Sequence, residues 1–230
     1  MTENSTLPTI AVLGGTGKEG KGLAYRWVKA GYRVIIGSRT QDKAERAARD
    51  LNAICAKELV GGQKNLSAAK EADIIVLTVP YSAHKLTLEE IKDAVQGKIL
   101  VDVTVPLVPP KVTKVQMPQA GSAAQEAQKI LGENANVVAA FQNISHEHLF
   151  DDAPINCDVL VTGKGKSARL KVLNLVEDAG MKGWDAGVIE NAAVVEGMTS
   201  LLIYINKQNI VKSAGIKITG AESKTQEYRN

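Results

Sequence analysis

Three glycines, Gly15, Gly17 and Gly20, directly follow the apolar run Thr9-Ile10-Ala11-Val12-Leu13. In that setting they read as strand, glycine turn and helix. The first glycine allows the tight turn, the second lets a pyrophosphate approach the backbone, and the third lets helix and strand pack closely. The helix start, around Thr16, Gly17, Lys18 and Glu19, presents free N–H groups and a positive dipole end to phosphates. This is a dinucleotide fingerprint in its required context.

The next apolar run, Arg33-Val34-Ile35-Ile36-Gly37, decides which dinucleotide. An NAD site carries Asp or Glu near this strand's end, about 20 residues past the fingerprint, to accept from the ribose hydroxyls. Here the place holds Ser38 and Arg39, with Lys43 one helical turn on. A carboxylate would repel a 2′-phosphate, whereas a hydroxyl, a guanidinium fork and an ammonium bind it. At about 1.5–3 kcal/mol per charge-assisted bond, the cluster favours NADP(H) over NAD(H) by roughly two or three orders of magnitude.

Other candidates carry less. His146-Glu147-His148 with Asp151-Asp152 has metal-ligand types but no third ligand at a metal spacing, and a polar loop after a buried strand is the better account. His84 is either a cofactor contact or acid, or a satisfied surface histidine. Tyr81 and Lys85 match a dehydrogenase acid-pair spacing, which arises easily by chance. Glu196 and Asn191 are the polar residues of the last apolar helix with access to a substrate. No acid–base pair stands out. Ketone reduction needs a proton donor at the forming alkoxide, whereas hydride transfer between two ring cofactors needs little beyond stacking and exclusion of water.

The elements that must position these residues alternate between strand and helix patterns, which predicts a doubly wound, mostly parallel α/β sheet. Strands are expected at 9–13, 33–37, 59–60, 73–79, 98–103, 137–141, 157–162 and 181–184, with helices at 42–55, 67–70, 81–93, 121–131, 167–179 and 188–209. Prolines 106, 109, 110 and 118 break the pattern in 104–120, and a loop that long in a compact domain is usually functional. Open α/β sheets bind ligands beyond the carboxyl ends of their strands. A nicotinamide is therefore expected along the strand tips at Val79 and Val103, walled by segments 104–120 and 142–150.

At 230 residues the chain can bury a full core, and 44% hydrophobic with 23% charged residues is an ordinary soluble composition. A net charge of +3 is too small to argue for nucleic acid or a membrane surface. Cys55 and Cys157 match no metal spacing and read as reduced, buried cytosolic thiols. No leader pattern and no membrane span is evident, so a cytoplasmic location is expected. Residues 1–7 and 221–230 are polar and expected to be loose. Met198, Leu201, Leu202 and Ile205 recur at helical spacing. They fit a plain core, a pocket wall over the nicotinamide or a dimer interface.

Leu13-Gly14-Gly15-Thr16-Gly17, Lys21-Gly22-Leu23-Ala24 and Ile36-Gly37-Ser38-Arg39 together resemble the F420-dependent NADP oxidoreductases. The similarity continues in Val76 to Pro80, Val137 to Phe141, Asp185-Ala186-Gly187, Val195-Glu196 and Thr199 to Ile203. The resemblance implies a Rossmann domain over 8–165, a small α-rich C-terminal domain over 166–220 and a flexible tail at 221–230. It implies direct hydride transfer between NADP(H) and the deazaflavin coenzyme F420, with main-chain donors rather than a catalytic dyad. Gly15, Thr16, Gly17, Lys18, Glu19 and Gly20 would then surround the pyrophosphate, and Ser38, Arg39 and Lys43 the 2′-phosphate. Val79, Ala83, Val105 and His146 would lie along the nicotinamide half, and Pro106, Gln142, Asn143, Ile144 and Met198 would border the deazaflavin. Glu19 departs from the family as a carboxylate beside the phosphates, and is expected to point to solvent. Gln142 stands where some members have His. The partners implied are small molecules and a second copy of the chain. Two other readings stand beside this one. The first is an NADP-dependent reductase of a small imine or keto acid, with Glu196, His84 or Lys85 as proton donor. The second is an NADPH-binding sensor or ferric-reductase-like module.

Overall fold

A computed structural model describes residues 7–221. Residues 1–6 and 222–230, most of the two segments expected to be loose, lie outside the described residues. Eight strands form one sheet: β1 (Ile10–Leu13), β2 (Val34–Ser38), β3 (Val60–Lys64), β4 (Ile74–Leu77), β5 (Ile99–Asp102), β6 (Asn136–Ala139), β7 (Asp158–Gly163) and β8 (Lys182–Asp185). Their order is β3-β2-β1-β4-β5-β6-β7-β8. All pairs are parallel except β6 with β7, which run antiparallel through Val138 with Gly163 and Ala139 with Thr162. The helices are α1 (Lys18–Lys29), α2 (Gln41–Cys55), α3 (Asn65–Glu71), α4 (Tyr81–Ile91), α5 (Ala123–Leu131), α6 (Lys166–Asp178) and α7 (Ala192–Asn209).

The strands are apolar almost throughout because helices cover both faces. Alternate residues feed two cores. Ile10, Val12, Val34, Ile36, Val76 and Val101 pack under Leu23, Trp27, Ala47, Leu51 and Val172 of α1, α2 and α6. Ala11, Leu13, Ile35, Ile75, Leu77 and Leu100 pack under Ala68, Leu88, Ala124 and Ala127 of α3, α4 and α5. Trp27 Nε1 donates to the Leu175 carbonyl at 2.9 Å and ties α1 to α6. Segment 166–220 supplies α6, β8 and α7, and β8 joins the sheet edge beside β7.

Sheet order reverses at β1, which lies between β2 and β4. The crevice beyond a parallel sheet's carboxyl ends at such a point is the expected ligand site. Cys157 is buried and Cys55 only half-buried; both are free thiols. No helix among the described residues is long and apolar enough to cross a membrane.

Candidate functional site

One cleft of about 980 Å³ runs across the strand tips from the start of α2 to the turn after β6. That volume sits at the upper end of the range of about 300–1,000 Å³ for small-molecule sites.

At one end stands the glycine turn. Gly14, not Gly15, carries the positive φ of +74° that the turn requires, and it lines the cleft. A Cβ on Gly15 would stand 2.6 Å from the Val12 carbonyl. One on Gly20 would lie 2.5 Å from Thr78 Oγ1 and 2.7 Å from Gly15 Cα. These two glycines therefore serve close packing of α1 on β1 and β4. Thr78 helps, donating from Oγ1 to the Leu13 carbonyl at 2.9 Å.

Ser38, Arg39, Thr40 and Lys43 line the cleft at the tip of β2 and the first turn of α2. Ser38 is 6% exposed, and its Oγ accepts from Thr40 N at 3.5 Å. Arg39 and Lys43 are exposed and form no ion pair among the described residues. Two unneutralised cations and a hydroxyl at one rim suit a phosphate monoester. Glu19 contradicts its expectation of facing solvent. Its Oε1 is buried with no partner, and burial pushes its carboxyl up to about 8. It is thus largely neutral at pH 7, despite a helix N-terminus that favours the anion by only about 0.3–1 kcal/mol.

The far half is more apolar. Val79, Pro80, Ala83, Val103, Val105, Leu107, Pro109, Val112, Phe141 and Ile144 wall it, with Ser145, His146 and Thr199. Phe141 holds a left-handed φ of +71°, which turns the chain sharply after β6. Its ring meets Trp27 edge-on, centroids 5.8 Å apart. Gln142 Nε2 donates to the Asp102 carbonyl at 2.9 Å, while its Oε1 is buried without a partner. Arg26 fastens the following loop from behind: Nε donates to the Leu149 carbonyl at 2.9 Å and Nη2 to the His148 carbonyl at 2.8 Å. Asp152 accepts from Tyr25 Oη at 2.7 Å and pairs with Lys29 at 3.1 Å, and Asp151 Oδ1 accepts from Ala153 N. His148 Nε2 stands 3.4 Å from the Ser213 carbonyl.

A buried charge cluster lies behind this half. His84 is fully buried, with Nε2 2.7 Å from Asp102 Oδ2 and Nδ1 3.5 Å from Glu126 Oε2. Burial alone would lower its pKa, but the two carboxylates outweigh it and the net shift is upward. Asp102 Oδ1 also accepts from Thr104 N at 3.0 Å, fixing the chain as it leaves β5. Glu196 is fully buried and accepts from Ala123 N at 2.7 Å and Ala124 N at 3.1 Å at the start of α5. Burial pushes its carboxyl up to about 8 despite those bonds. Tyr81 lines the cleft; burial and then the neighbouring Glu126 push its phenol up to about 12. Lys85 is exposed, 3.8 Å from Glu89.

Of the residues singled out in the sequence, Thr16, Gly17, Lys18, Glu19, Ser38, Arg39, Lys43, Val79, Ala83, Val105, Gln142, Ile144 and His146 share the cleft. Gly15, Gly20, Pro106, Asn143 and Met198 do not line it. Asn143 instead donates to the Val195 carbonyl at 2.9 Å and to Thr199 Oγ1 at 3.0 Å, tying the β6 turn to α7. Neither His84 nor Glu196 reaches the cleft, and Asn191 is exposed and donates to the Ala186 carbonyl at 2.7 Å. Tyr81, weighed only for its spacing to Lys85, lines it as well, and so do Gly14, Asn65 and Thr199, which were not selected; a positive φ and cross-chain packing leave no local mark.

A family model described as "NADP oxidoreductase coenzyme F420-dependent" matches residues 9–106. The F420-dependent NADP reductase of Methanothermobacter marburgensis is 42% identical over 219 residues, covering 91% of this chain and 97% of that protein. The F420-dependent NADP reductase of Methanocaldococcus jannaschii is 39% identical over 222 residues, covering 93% and 99%. Among solved structures, a putative F420-dependent NADP reductase from Arthrobacter sp. FB24 superposes with a TM-score of 0.77 at 24% identity, covering 93% of this chain and all of that one. The pyrroline carboxylate reductase of Plasmodium falciparum has a TM-score of 0.57 at 13% identity and covers 88% of this chain, a likeness of fold alone. With two relatives near 40% identity matched over more than nine-tenths of each chain, the chain belongs to the F420-dependent NADP reductase family.

Proposed function

We propose that this protein is an oxidoreductase that transfers a hydride between NADP(H) and the deazaflavin coenzyme F420. The observation that carries the reading is the cleft itself, cationic and phosphate-suited at one end and apolar at the other. When bound, the two coenzymes would supply the hydride donor and the hydride acceptor.

The residues present fit both groups. Thr16 to Glu19 offer the α1 start to the pyrophosphate, with Gly15 and Gly20 keeping the turn compact. A neutral Glu19 donates toward a phosphate instead of repelling it. Ser38, Arg39 and Lys43 select the 2′-phosphate. Val79, Ala83, Val105 and His146 exclude water around the nicotinamide. Gln142 and Ile144 border the deazaflavin within the cleft, whereas Pro106, Asn143 and Met198 lie outside its lining, Asn143 tying the turn after β6 to α7. Gln142 Oε1 offers an acceptor to a ring N–H there.

The rival reading of a small imine or keto-acid reductase needs a proton donor in the cleft. Its candidates are buried on other partners (His84, Glu196) or paired at the surface (Lys85). The sensor reading is disfavoured by relatives that carry an enzyme's name over nearly their whole length.

The protein acts as a cytoplasmic homodimer in this proposal. Val194, Leu201, Tyr204 and Ile205 leave an exposed apolar face on α7, with Leu201 54% and Tyr204 52% exposed. A second copy of the same face would bury it.

The test is anaerobic mixing of the purified protein with F420 and NADPH, following loss of the deazaflavin absorbance. Rapid bleaching that fails with NADH supports both halves of the reading. Tight NADPH binding without bleaching overturns the F420 half.

A further inference from the structure

Asn65 is 3% exposed, yet its Oδ1 is buried without a partner and it lines the cleft. No hydrogen bond joins its amide to any described residue. Such an amide is costly to leave unmade, at about 1–3 kcal/mol, unless a ligand completes it. Its place says which ligand. Strands β2 and β3 end side by side, with Ser38 opposite Lys64. Asn65 is the next residue, beside the Ser38, Arg39 and Lys43 rim. Gly37 makes the room in which this oxygen sits, because a Cβ there would stand 2.9 Å from Asn65 Oδ1.

We infer that Asn65 is a further specificity-determining residue, whose amide pairs with the 2′-phosphate and the neighbouring 3′-hydroxyl of the adenosine ribose. The inference rests on the NADP reading above. Arg39 and Lys43 are donors only, and Ser38 Oγ accepts from Thr40 N and keeps its own proton for the phosphate. Asn65 adds a primary amide, the group that can serve both neighbours at once: its oxygen accepts from the 3′-hydroxyl while its NH₂ donates to the 2′-phosphate. The cations then supply attraction, and Asn65 reads the vicinal pattern.

The experiment is titration calorimetry of the full chain with 2′,5′-ADP and 5′-AMP, neither of which involves F420. Wild type should prefer 2′,5′-ADP strongly. In Asn65→Ala that preference should shrink about tenfold, because the bond to the charged phosphate is lost from one nucleotide alone. A preference unchanged within twofold, or an equal loss for both nucleotides, overturns the inference. Should Asn65→Ala fail to fold, Asn65→Asp keeps the size and adds a like charge beside the phosphate. It should abolish the preference, and a retained preference overturns the inference. Absence of any preference in wild type would instead sink the NADP reading, and this inference with it.

Discussion

Glu19 should control nucleotide affinity through its proton. Its carboxyl stands in the first turn of α1 and is pushed by burial from 4.5 up to about 8, with Oε1 lacking any partner. With that value the group is about nine-tenths neutral at pH 7 and about nine-tenths ionised at pH 9. The neutral form donates to a phosphate, and the ionised form repels it. If only the neutral form binds, KM for NADPH scales as one plus the ratio of ionised to neutral Glu19. It should therefore rise about tenfold between pH 7 and pH 9. The assay is the initial rate of anaerobic F420 reduction, with kcat/KM for NADPH measured at half-unit steps. Glu19→Gln keeps the neutral shape and should flatten the rise. Stability supplies a second readout. Because the folded pKa lies above the unfolded one, the folded state holds the extra proton between about pH 4.5 and 8. Stability therefore falls as pH rises through that window. Glu19→Gln removes the loss, so its Tm should exceed wild type by more at pH 8.5 than at pH 5. A flat wild-type profile, or a Gln variant that keeps the alkaline rise, would refute the reasoning.

Further expectations concern other parts of the site. Arg39→Glu should raise KM for NADPH far more than KM for NADH, since it removes the fork and adds repulsion at the rim; equal effects on both would contradict the 2′-phosphate assignment. His84→Leu strands the Asp102 carboxylate, which sits 2.7 Å from the ring, and should cost about 3–5 kcal/mol in denaturant unfolding. The raised His84 pKa contributes stability in full below about pH 6.5 and loses it as pH climbs through the folded value. The wild-type Tm should fall over that range, and the Leu variant, lower at acidic pH, should lack this component. Gly20→Ala sets a methyl 2.5 Å from Thr78 Oγ1 and 2.7 Å from Gly15 Cα. It should destabilise by about 1–3 kcal/mol and weaken NADPH binding, and a normal Tm with a normal Kd would count against the packing role of this glycine.

Much of this architecture was readable because its signals are local. The apolar runs at Ile10–Leu13, Val34–Ser38 and Ile74–Leu77 each form a strand, and the proline-rich 104–120 forms neither helix nor strand. The 59–60 signal was short, yet β3 extends to Lys64 because pairing with β2 sustains Gly61 and Gly62, which have no strand preference of their own. The end of the cleft proposed for the phosphates was equally legible, since turn glycines and the residues after β2 act where they stand. The opposite half was legible only in part: Val79, Ala83, Val105, Gln142, Ile144 and His146 line the cleft, whereas Pro106, Asn143 and Met198 do not. Glu196 caps α5 from 73 positions away, and His84 meets Asp102 across 18. Such polar residues look available for chemistry until the fold shows which other element has claimed them. Glu19 misled for a related reason: charge predicts exposure, but the side chain lines the cleft with its Oε1 buried.

The Arg26 clamp bears on how such an enzyme could be re-engineered. Arg26 holds residues 148 and 149 across intervals of 122 and 123 positions, so the helix at the phosphate turn also carries the far wall of the cleft. Gly22 joins in, since a Cβ there would stand 2.5 Å from Leu149 Cβ. The two halves of the cleft are therefore not interchangeable cassettes. A chimera that grafts residues 142–157 onto another dinucleotide-binding scaffold would inherit a loop with nothing behind it, unless Gly22, Tyr25, Arg26 and Lys29 travelled along. Recombination in this family would have to keep α1 and residues 148–149 in one inherited unit.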